Sequence, residues 1–322
     1  MTWMVTGGAG YIGSHIVDAF VSRGESVLVY DSMSSGYESR IRYLEKKHRA
    51  TIPIVRADIR DREKFENSCN QFNISGVVHA AALKSVRESF EIPEEYMDVN
   101  VKGTKNILDI SISLGIRKFI FSSTAAVYGN PKHSLPVSEN EVCSPVSPYG
   151  ETKYLAEKLV ESCYKDFGLH GVNLRYFNVI GACAPELADV MGENLIPLLL
   201  SKIKNGLPLE VFGSDYPTQD GTCVRDYVDV RDVARAHLLA ATTLNALPAR
   251  MNIGTGVGES VLDVIHNLSS VMGINLEIVK KARRQGDPAL LCADPTMAAK
   301  ELGFLAQYSL RESIESVRSL LR

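Results

Sequence analysis

The sequence predicts an α/β protein: a doubly wound parallel sheet with a smaller C-terminal α/β lobe. Three observations predict it. Strand-like apolar runs alternate with helix-like segments through the first half of the chain. Those strands are apolar throughout, as expected of a parallel sheet covered by helices on both faces. The first strand also runs through a glycine-rich turn directly into the first helix.

The elements follow in chain order. "WMVTG" is a short apolar strand. "YIGSHIVDAFVSRG" has apolar residues at helical spacing and stops on glycine, the residue favoured just past a helix end. "SVLVYD" and "IPIVRADI" are rich in β-branched residues and read as strands. Between them, "SRIRYLEKKHR" (39–49) is locally basic and reads as a solvated helix face. A polar helix is expected from Asp61 to Phe72, then the buried strand "GVVHAA". "EEYMDVNVKGTKNILDISISLG" is a long amphipathic helix, and "KFIFSS" is the next strand. In "SPYGETK" (147–153), Pro148 suits the first turn of a helix, which continues through "YLAEKLVESCYK". "GVNLRYFN" is the strand after it.

Beyond about Asn178 the alternation breaks. "GACAPELADVMGE" is irregular, "NLIPLLLSKIKNG" helical, "LPLEVFG" a strand and "SDYPTQDGTCVRDYV" a loop. The expected division is a dinucleotide-binding domain over 1–178 and a substrate lobe over 179–322. A strand or two from about 222–254 may return to the main sheet. No internal repeat or low-complexity linker marks the boundary.

Bulk properties narrow the function. The 322 residues are 45% hydrophobic and carry a formal charge of -3, which gives no sign of a nucleic-acid binder or a polybasic membrane segment. Six cysteines form no CxxC pair, so there is no zinc or thiol-redox signature and no metal is expected. At such scattered spacing in a long chain they read as reduced thiols. The start lacks the features of a signal peptide, and "LIPLLL" is far too short to span a bilayer. A cytoplasmic setting without a membrane partner is expected.

"VTGGAGYIG" carries the first functional signal. Gly8, Gly10 and Gly13 fit GxGxxG, and Gly7, Gly10 and Gly13 fit GxxGxxG. Such a turn needs small residues so that the backbone can approach a pyrophosphate and the helix can pack near its strand. The helix N-terminus then faces the phosphate charge. The second strand ends at Asp31, about 20 residues past the loop, where a carboxylate binds the adenosine ribose. It would repel a 2′-phosphate, so NAD is favoured over NADP and the sheet is expected to be of Rossmann type.

Tyr149 and Lys153 carry the second signal. Four apart on a helix, they share a face. A phenol, with pKa about 10, is a poor base at pH 7, and lowering it to near 7 takes about 4 kcal/mol of preferential phenolate stabilisation. A neighbouring ammonium and a cationic nicotinamide ring can supply that in a water-poor site. The phenolate could then take a proton from a sugar hydroxyl as hydride leaves the same carbon. Taken alone, the pair reads more readily as an amphipathic helix with a snorkelling lysine.

"TGGAGYIG", "SSTAAVYG" and "SPYGETK" together resemble the extended short-chain dehydrogenase/reductase superfamily. "LRYFN" (174–178), "FGSDYPTQDGTCVRDYVDV" (212–230) and "RRQGDPALLCAD" (283–294) narrow the resemblance to UDP-glucose (UDP-galactose) 4-epimerases, over nearly the whole chain. The resemblance implies that Tyr149 is the base and that Lys153 holds the nicotinamide ribose and depresses the Tyr149 pKa. Thr124 takes the position that bridges the sugar hydroxyl and the tyrosine. Around NAD it implies Gly7, Gly10, Tyr11, Ile12, Gly13 and Asp31 at the phosphates and ribose, and Asp58 and Ile59 at the adenine. Ala80, Ala81, Lys84, Asn100, Ser122 and Tyr176 join Tyr149 and Lys153 in the rest of the cofactor pocket. Around the UDP-hexose it implies Lys84, Thr124, Tyr149, Asn178, Asn194 and Leu195, with Phe212, Arg225, Arg284, Asp287 and Leu291. The two arginines also suit a diphosphate, which favours charged bidentate donors; without the motif they read as surface arginines.

The implied activity interconverts UDP-glucose and UDP-galactose by oxidation at C4, rotation of the 4-keto sugar and re-reduction on the opposite face. Related dehydratases and decarboxylases carry an acid after the Thr or Ser, where this chain has Ala125 and Ala126. The resemblance also implies a homodimer through the helices around 94–114 and 149–167. The segment from Gly181 to Asn194 is shorter than in many relatives. Leu291 stands at a position beside the sugar's 2-substituent. Two further readings remain: a 4-epimerase of another nucleotide sugar (UDP-N-acetylhexosamine or TDP-hexose), or a catalytically silent dinucleotide-binding scaffold. Retention of both Tyr149 and Lys153 argues against the second.

Overall fold

Parallel strands dominate the computed structural model, which describes residues 1–132, 135–190, 194–244, 247–284 and 287–321. The first half runs β1 (Thr2–Thr6), α1 (Tyr11–Ser22), β2 (Ser26–Asp31), α2 (Glu38–His48), β3 (Ile54–Arg56), α3 (Arg62–Gln71) and β4 (Ile74–His79). It continues with α4 (Val86–Glu91), α5 (Pro93–Tyr96), α6 (Gly103–Ser113), β5 (Lys118–Thr124), α7 (Pro148–Phe167) and β6 (His170–Tyr176). The second half runs β7 (Asn178–Ile180), α8 (Leu195–Lys204), β8 (Leu209–Phe212), β9 (Val224–Asp229), α9 (Val230–Thr243) and β10 (Arg250–Ile253). It ends with β11 (Gly258–Ser260), α10 (Val261–Met272), β12 (Ile278–Lys281), β13 (Leu290–Leu291), α11 (Thr296–Leu302) and α12 (Leu310–Ser316).

The main sheet has the order β10-β6-β5-β4-β1-β2-β3, and every pairing in it is parallel. Side chains alternate between its faces, as strand geometry requires. Trp3 and Val5 of β1 join Ile16, Phe20, Val233 and Ala240 of α1 and α9 on one side. Met4, between them, joins Phe65, Ile107 and Val160 of α3, α6 and α7 on the other. Each fully buried side chain of this size contributes about 1.5–3 kcal/mol of burial free energy. The chain leaves β1 toward β2 and later crosses back to β4 beside it, so the strand order reverses there. A crevice at the carboxyl ends of β1 and β4 is the position where such sheets bind ligands.

In the second half, β9 pairs with β7, β11 and β13, while β8 pairs with β12. A third core, with Leu199, Tyr227, Val264, Leu268 and Ile314, lies between these strands and α8, α10 and α12. Strand β10 pairs with β6 as the seventh strand of the main sheet.

The structure corrects the reading of four segments. "SDYPTQDGTCVRDYV" is not loop throughout, because Val224–Asp229 is a strand. Its charged residues are buried, and Asp226 accepts bonds from the backbone N–H groups of Thr255, Gly256 and Ala293 at 2.9, 2.9 and 3.2 Å; those partners are distant in sequence. The long helix over 94–114 is divided, with a π-helical turn at Met97–Lys102 between α5 and α6. That wider turn carries Asn100, which is buried. "GVNLRYFN" is two strands, β6 and β7, which belong to different sheets. Finally, the basic segment 39–49 is not wholly solvated, since Arg40 is only 3% exposed.

Candidate active site

The crevice at the end of β1 is a cavity of about 470 Å³, within the range of ligand pockets. Its floor is the glycine turn. Gly7 has φ +69, and a Cβ there would stand 2.7 Å from the Ala81 backbone nitrogen. A Cβ on Gly13 would stand 2.0 Å from the Gly7 carbonyl oxygen. Side chains are therefore excluded, and a ligand can approach the backbone. Gly10 caps α1 without a side-chain bond, so the first N–H groups of the helix remain available to an anion.

Asp31 closes one end of this cradle. Its carboxylate accepts from the N–H groups of Ala9 at 2.9 Å and Met33 at 2.8 Å, and burial nonetheless raises its pKa. Asp58 and Ile59 line the same end, where Tyr30 donates to the Asp58 carbonyl at 3.1 Å and the Asp58 carboxylate pairs with Arg60 at 2.7 Å. Tyr11, Ile12, Ala80, Ala81 and Lys84 continue the wall. These groups fit a dinucleotide: a side-chain-free cradle for phosphates, flanked by a ribose-binding acid.

The other end holds the titratable pair. Ser147 caps α7 by accepting from Gly150 N–H at 3.1 Å, and Pro148 occupies the first turn. Tyr149 and Lys153 both project into the cavity. The Tyr149 hydroxyl is hydrogen-bonded to Thr124, whose oxygen also accepts from Ala126 N–H at 3.2 Å. Lys153 Nζ lies 4.1 Å from the centre of the Phe121 ring. Burial pushes the Tyr149 phenol up to about 12, opposed by its bond to Thr124. Burial lowers Lys153 to about 7, opposed by Glu157. Desolvation disfavours both charged forms.

Ser122 lies beside them. Its Oγ is 3.0 Å from His237 Nε2, while His237 Nδ1 is 2.9 Å from the Val233 carbonyl oxygen. The carbonyl fixes Nδ1 as the donor, so Nε2 accepts from Ser122. Tyr176 is hydrogen-bonded to Ser122 in turn.

Asn178, Asn194, Leu195, Arg225, Asp287 and Leu291 line the cavity opposite. Asn194 donates to Asp189 at 2.6 Å, and Lys84 Nζ stands 3.9 Å from the same carboxylate. Arg225 reaches Asp287 at 3.5 Å. Three expected residues are not in the cavity wall. Asn100 lies behind it, where its amide accepts from Leu83 N–H at 2.8 Å and donates to the Leu83 carbonyl at 3.0 Å. Phe212 and Arg284 stack on each other, the guanidinium 4.0 Å from the ring centre. Gly286 and residues 191–193 lie outside the described residues.

Two features had escaped the sequence reading. Arg40 lines the cavity and donates to the carbonyls of Ala9 at 3.2 Å and Ala188 at 2.7 Å. It ties the glycine turn to the 181–190 segment, and nothing in a basic helix run signals that. Glu157 and Arg175 form a fully buried pair beneath Lys153; the spacing of four from Lys153 was the available signal. Among the described residues no cluster could hold a metal, and no helix is long and apolar enough to cross a membrane.

A dinucleotide cradle facing a Tyr-Lys pair on a helix defines a nicotinamide-dependent enzyme of the short-chain dehydrogenase/reductase type. The chain belongs to the NAD dependent epimerase/dehydratase family, which it matches over residues 3–254. It is 39% identical over 319 residues to the UDP-glucose 4-epimerase of Lacticaseibacillus casei, covering 96% of this chain and 92% of that protein. It is 37% identical over 325 residues to the bifunctional protein gal10 of Schizosaccharomyces pombe, covering 96% of this chain but 46%, about half, of that longer protein. Among solved structures, UDP-glucose-4-epimerase from Stenotrophomonas maltophila, with bound NAD and formylated UDP-arabinopyranose, matches with a TM-score of 0.94 at 38% identity. That likeness covers 100% of this chain and 98% of the other.

Proposed function

We propose that the protein interconverts UDP-glucose and UDP-galactose. The observation that carries this reading is Tyr149, bonded to Thr124 and one turn from Lys153, in the same cavity as the glycine cradle. A bound NAD would supply the hydride acceptor and donor for C4 of the hexose. Gly7, Gly10, Gly13 and Asp31 hold the phosphates and adenosine ribose, and Lys153 donates to the nicotinamide ribose. Tyr149 accepts the proton of the sugar's 4-hydroxyl, which Thr124 aligns, and gives it back after the 4-keto sugar has turned over. The positive charge that brings a phenol of pKa about 12 into range is shared between Lys153 and the oxidised cofactor. Arg225, which lines the cavity beside Asp287, suits the diphosphate, and Asn178, Asn194 and Leu195 line the place of the remaining UDP-sugar. Ala125 and Ala126 line the cavity where elimination chemistry would need an acid, which favours epimerisation over dehydration.

Two finer statements belong to the same reading. The enzyme is cytoplasmic, in keeping with six unpaired cysteines. It is a homodimer joined through α7 and the helical stretch 94–114, which comprises α5, the π-helical turn and α6. The deciding experiment is to incubate purified protein with UDP-galactose, without added cofactor, and to separate the C4 epimers. UDP-glucose is expected. Its absence, with NAD either supplied or retained, would overturn the reading.

A further inference from the structure

Tyr149, Lys153 and Glu157 follow one another at helical spacing of four along a single face of α7. The first two reach the cavity. The third ends in a fully buried carboxylate, 0% exposed, paired with an equally buried Arg175 on β6. Arg175 Nε donates to Glu157 Oε1 at 2.8 Å and Nη2 to Oε2 at 2.5 Å. Ser123, directly opposite Arg175 across the sheet, donates to the same carboxylate. Arg175 Nη1 is held by the Tyr128 hydroxyl at 3.0 Å, which donates to Asn252 at 2.6 Å. Burying two charges costs several kcal/mol per ion, and a well-packed apolar pair is often as stable. An ion pair fixed this firmly beside a catalytic ammonium therefore calls for a role beyond packing.

We infer that Glu157 is a positioning residue for the epimerase reaction, the fixed negative charge against which Lys153 keeps its ammonium in the cavity. The surroundings of Lys153 support this. Tyr149 and Glu157 face it from its own helix. His79 faces it from β4, held neutral by burial between the hydroxyls of Thr6 at 2.7 Å and Thr104 at 2.9 Å. β5 presents the apolar ring of Phe121, and β6 presents the guanidinium of Arg175 to Glu157, with Tyr128 and Cys143 beyond it. Among these groups Glu157 is the one that favours the charged lysine; the burial that opposes it is the larger influence. Arg175 is occupied by the same carboxylate, which keeps the two cations apart.

In a site of effective dielectric about 20, removing one neighbouring charge moves a titration by about one to two pH units. The test compares wild type with Glu157→Gln, Glu157→Asp and the double variant Glu157→Gln/Arg175→Met. Two quantities are read: the pH profile of UDP-galactose turnover from pH 6 to 10, and the titration of the Lys153 Cε NMR signal, assigned by its loss in Lys153→Met. In Glu157→Gln the lysine midpoint and the alkaline limb of turnover are expected to move down by about one to two units. Glu157→Asp, which keeps the charge, returns both toward wild type. The double variant leaves no unpaired buried cation, so it reads the effect if the single variant does not fold, and its shift has the same sign. A folded variant lacking the Glu157 carboxylate whose lysine midpoint matches wild type overturns the inference, even if it is slow or less stable. The inference rests on the epimerase reading, but the two fail differently: an inactive wild type sinks that reading, while the NMR midpoint still decides the part played by Glu157.

Discussion

In the proposed reaction the Tyr149 hydroxyl accepts the sugar's proton, and that role sets a clear expectation. Tyr149→Phe keeps the ring and its packing but removes the proton acceptor. Proton transfer of this kind contributes about 10²–10⁴-fold, so turnover is expected to fall at least about 100-fold while NAD stays bound. Steady-state rates together with the nucleotide released on denaturation measure both. Retention of activity within about threefold would show that another group is the base. Leu291 sets a second expectation. It lines the cavity, nearly buried, on β13 opposite Arg225. Leucine is smaller than tyrosine, and overpacking costs about 1–3 kcal/mol where neighbours can adjust. UDP-glucose and UDP-galactose are therefore preferred, with slower turnover of their N-acetylated counterparts. Leu291→Tyr should abolish the slower activity and spare the faster one, whereas Leu291→Cys should raise it. An unchanged activity ratio in Leu291→Tyr would remove this residue from the selectivity.

The glycine turn and the π-helical turn both position the cofactor cavity, but only the first was legible in the sequence. The turn is read from glycine spacing because a side chain there collides with backbone, which cannot move aside. Gly13→Ala would place a Cβ 2.0 Å from the Gly7 carbonyl, so the loop must shift. Protein purified from that variant is expected to carry less than about a tenth of the wild-type NAD, as measured by chromatography of the nucleotide it releases. The same NAD content as wild type would show that the cradle does not depend on this close approach. The π turn at Met97–Lys102 left no comparable trace. A single widened turn is too short for its phase shift to stand out in the apolar pattern, and the contacts that accompany it, the paired bonds of Asn100 with Leu83, join residues 17 apart in sequence.

For the molecule as a whole, buried histidines dominate the response to mild acid. Burial lowers His15 and His237 to about 4 and His79 to about 3. Their unfolded values lie near 6.5, so the unfolded chain binds the extra protons. Their stabilisation is complete above about pH 6.5 and falls as pH drops toward 4, by at most roughly 4 kcal/mol per pH unit for the three together. Asp31, Asp226 and Glu139 have raised pKa values and act in the opposite sense, from their unfolded values near 4 upward. A melting temperature several degrees lower at pH 5 than at pH 7 is expected in thermal scans; equal values would contradict this assignment. The proposed dimer is also tested at this scale. Met97, Tyr164 and Phe167 are exposed on the helices concerned, so light scattering at micromolar concentration should give about twice 35.4 kDa. A monomer mass would exclude the pairing.

The sequence by itself determined the alternation of strands and helices, the glycine cradle, Asp31 behind it and the Tyr149–Lys153 pair. Each is written in local spacing: period two or 3.6 in apolar residues, a fixed glycine interval, four residues along one helix. Tertiary structure alone decided that Val224–Asp229 is a strand, that Arg40 turns inward to two carbonyls, that Asn100 supports the cavity from behind, and that Glu157 and Arg175 form a sealed pair under Lys153. It also decided that burial lowers the Lys153 pKa while Glu157 opposes that shift. These outcomes depend on how much water is removed from a group and on which distant partner replaces it, and neither quantity is encoded in the residues adjacent along the chain.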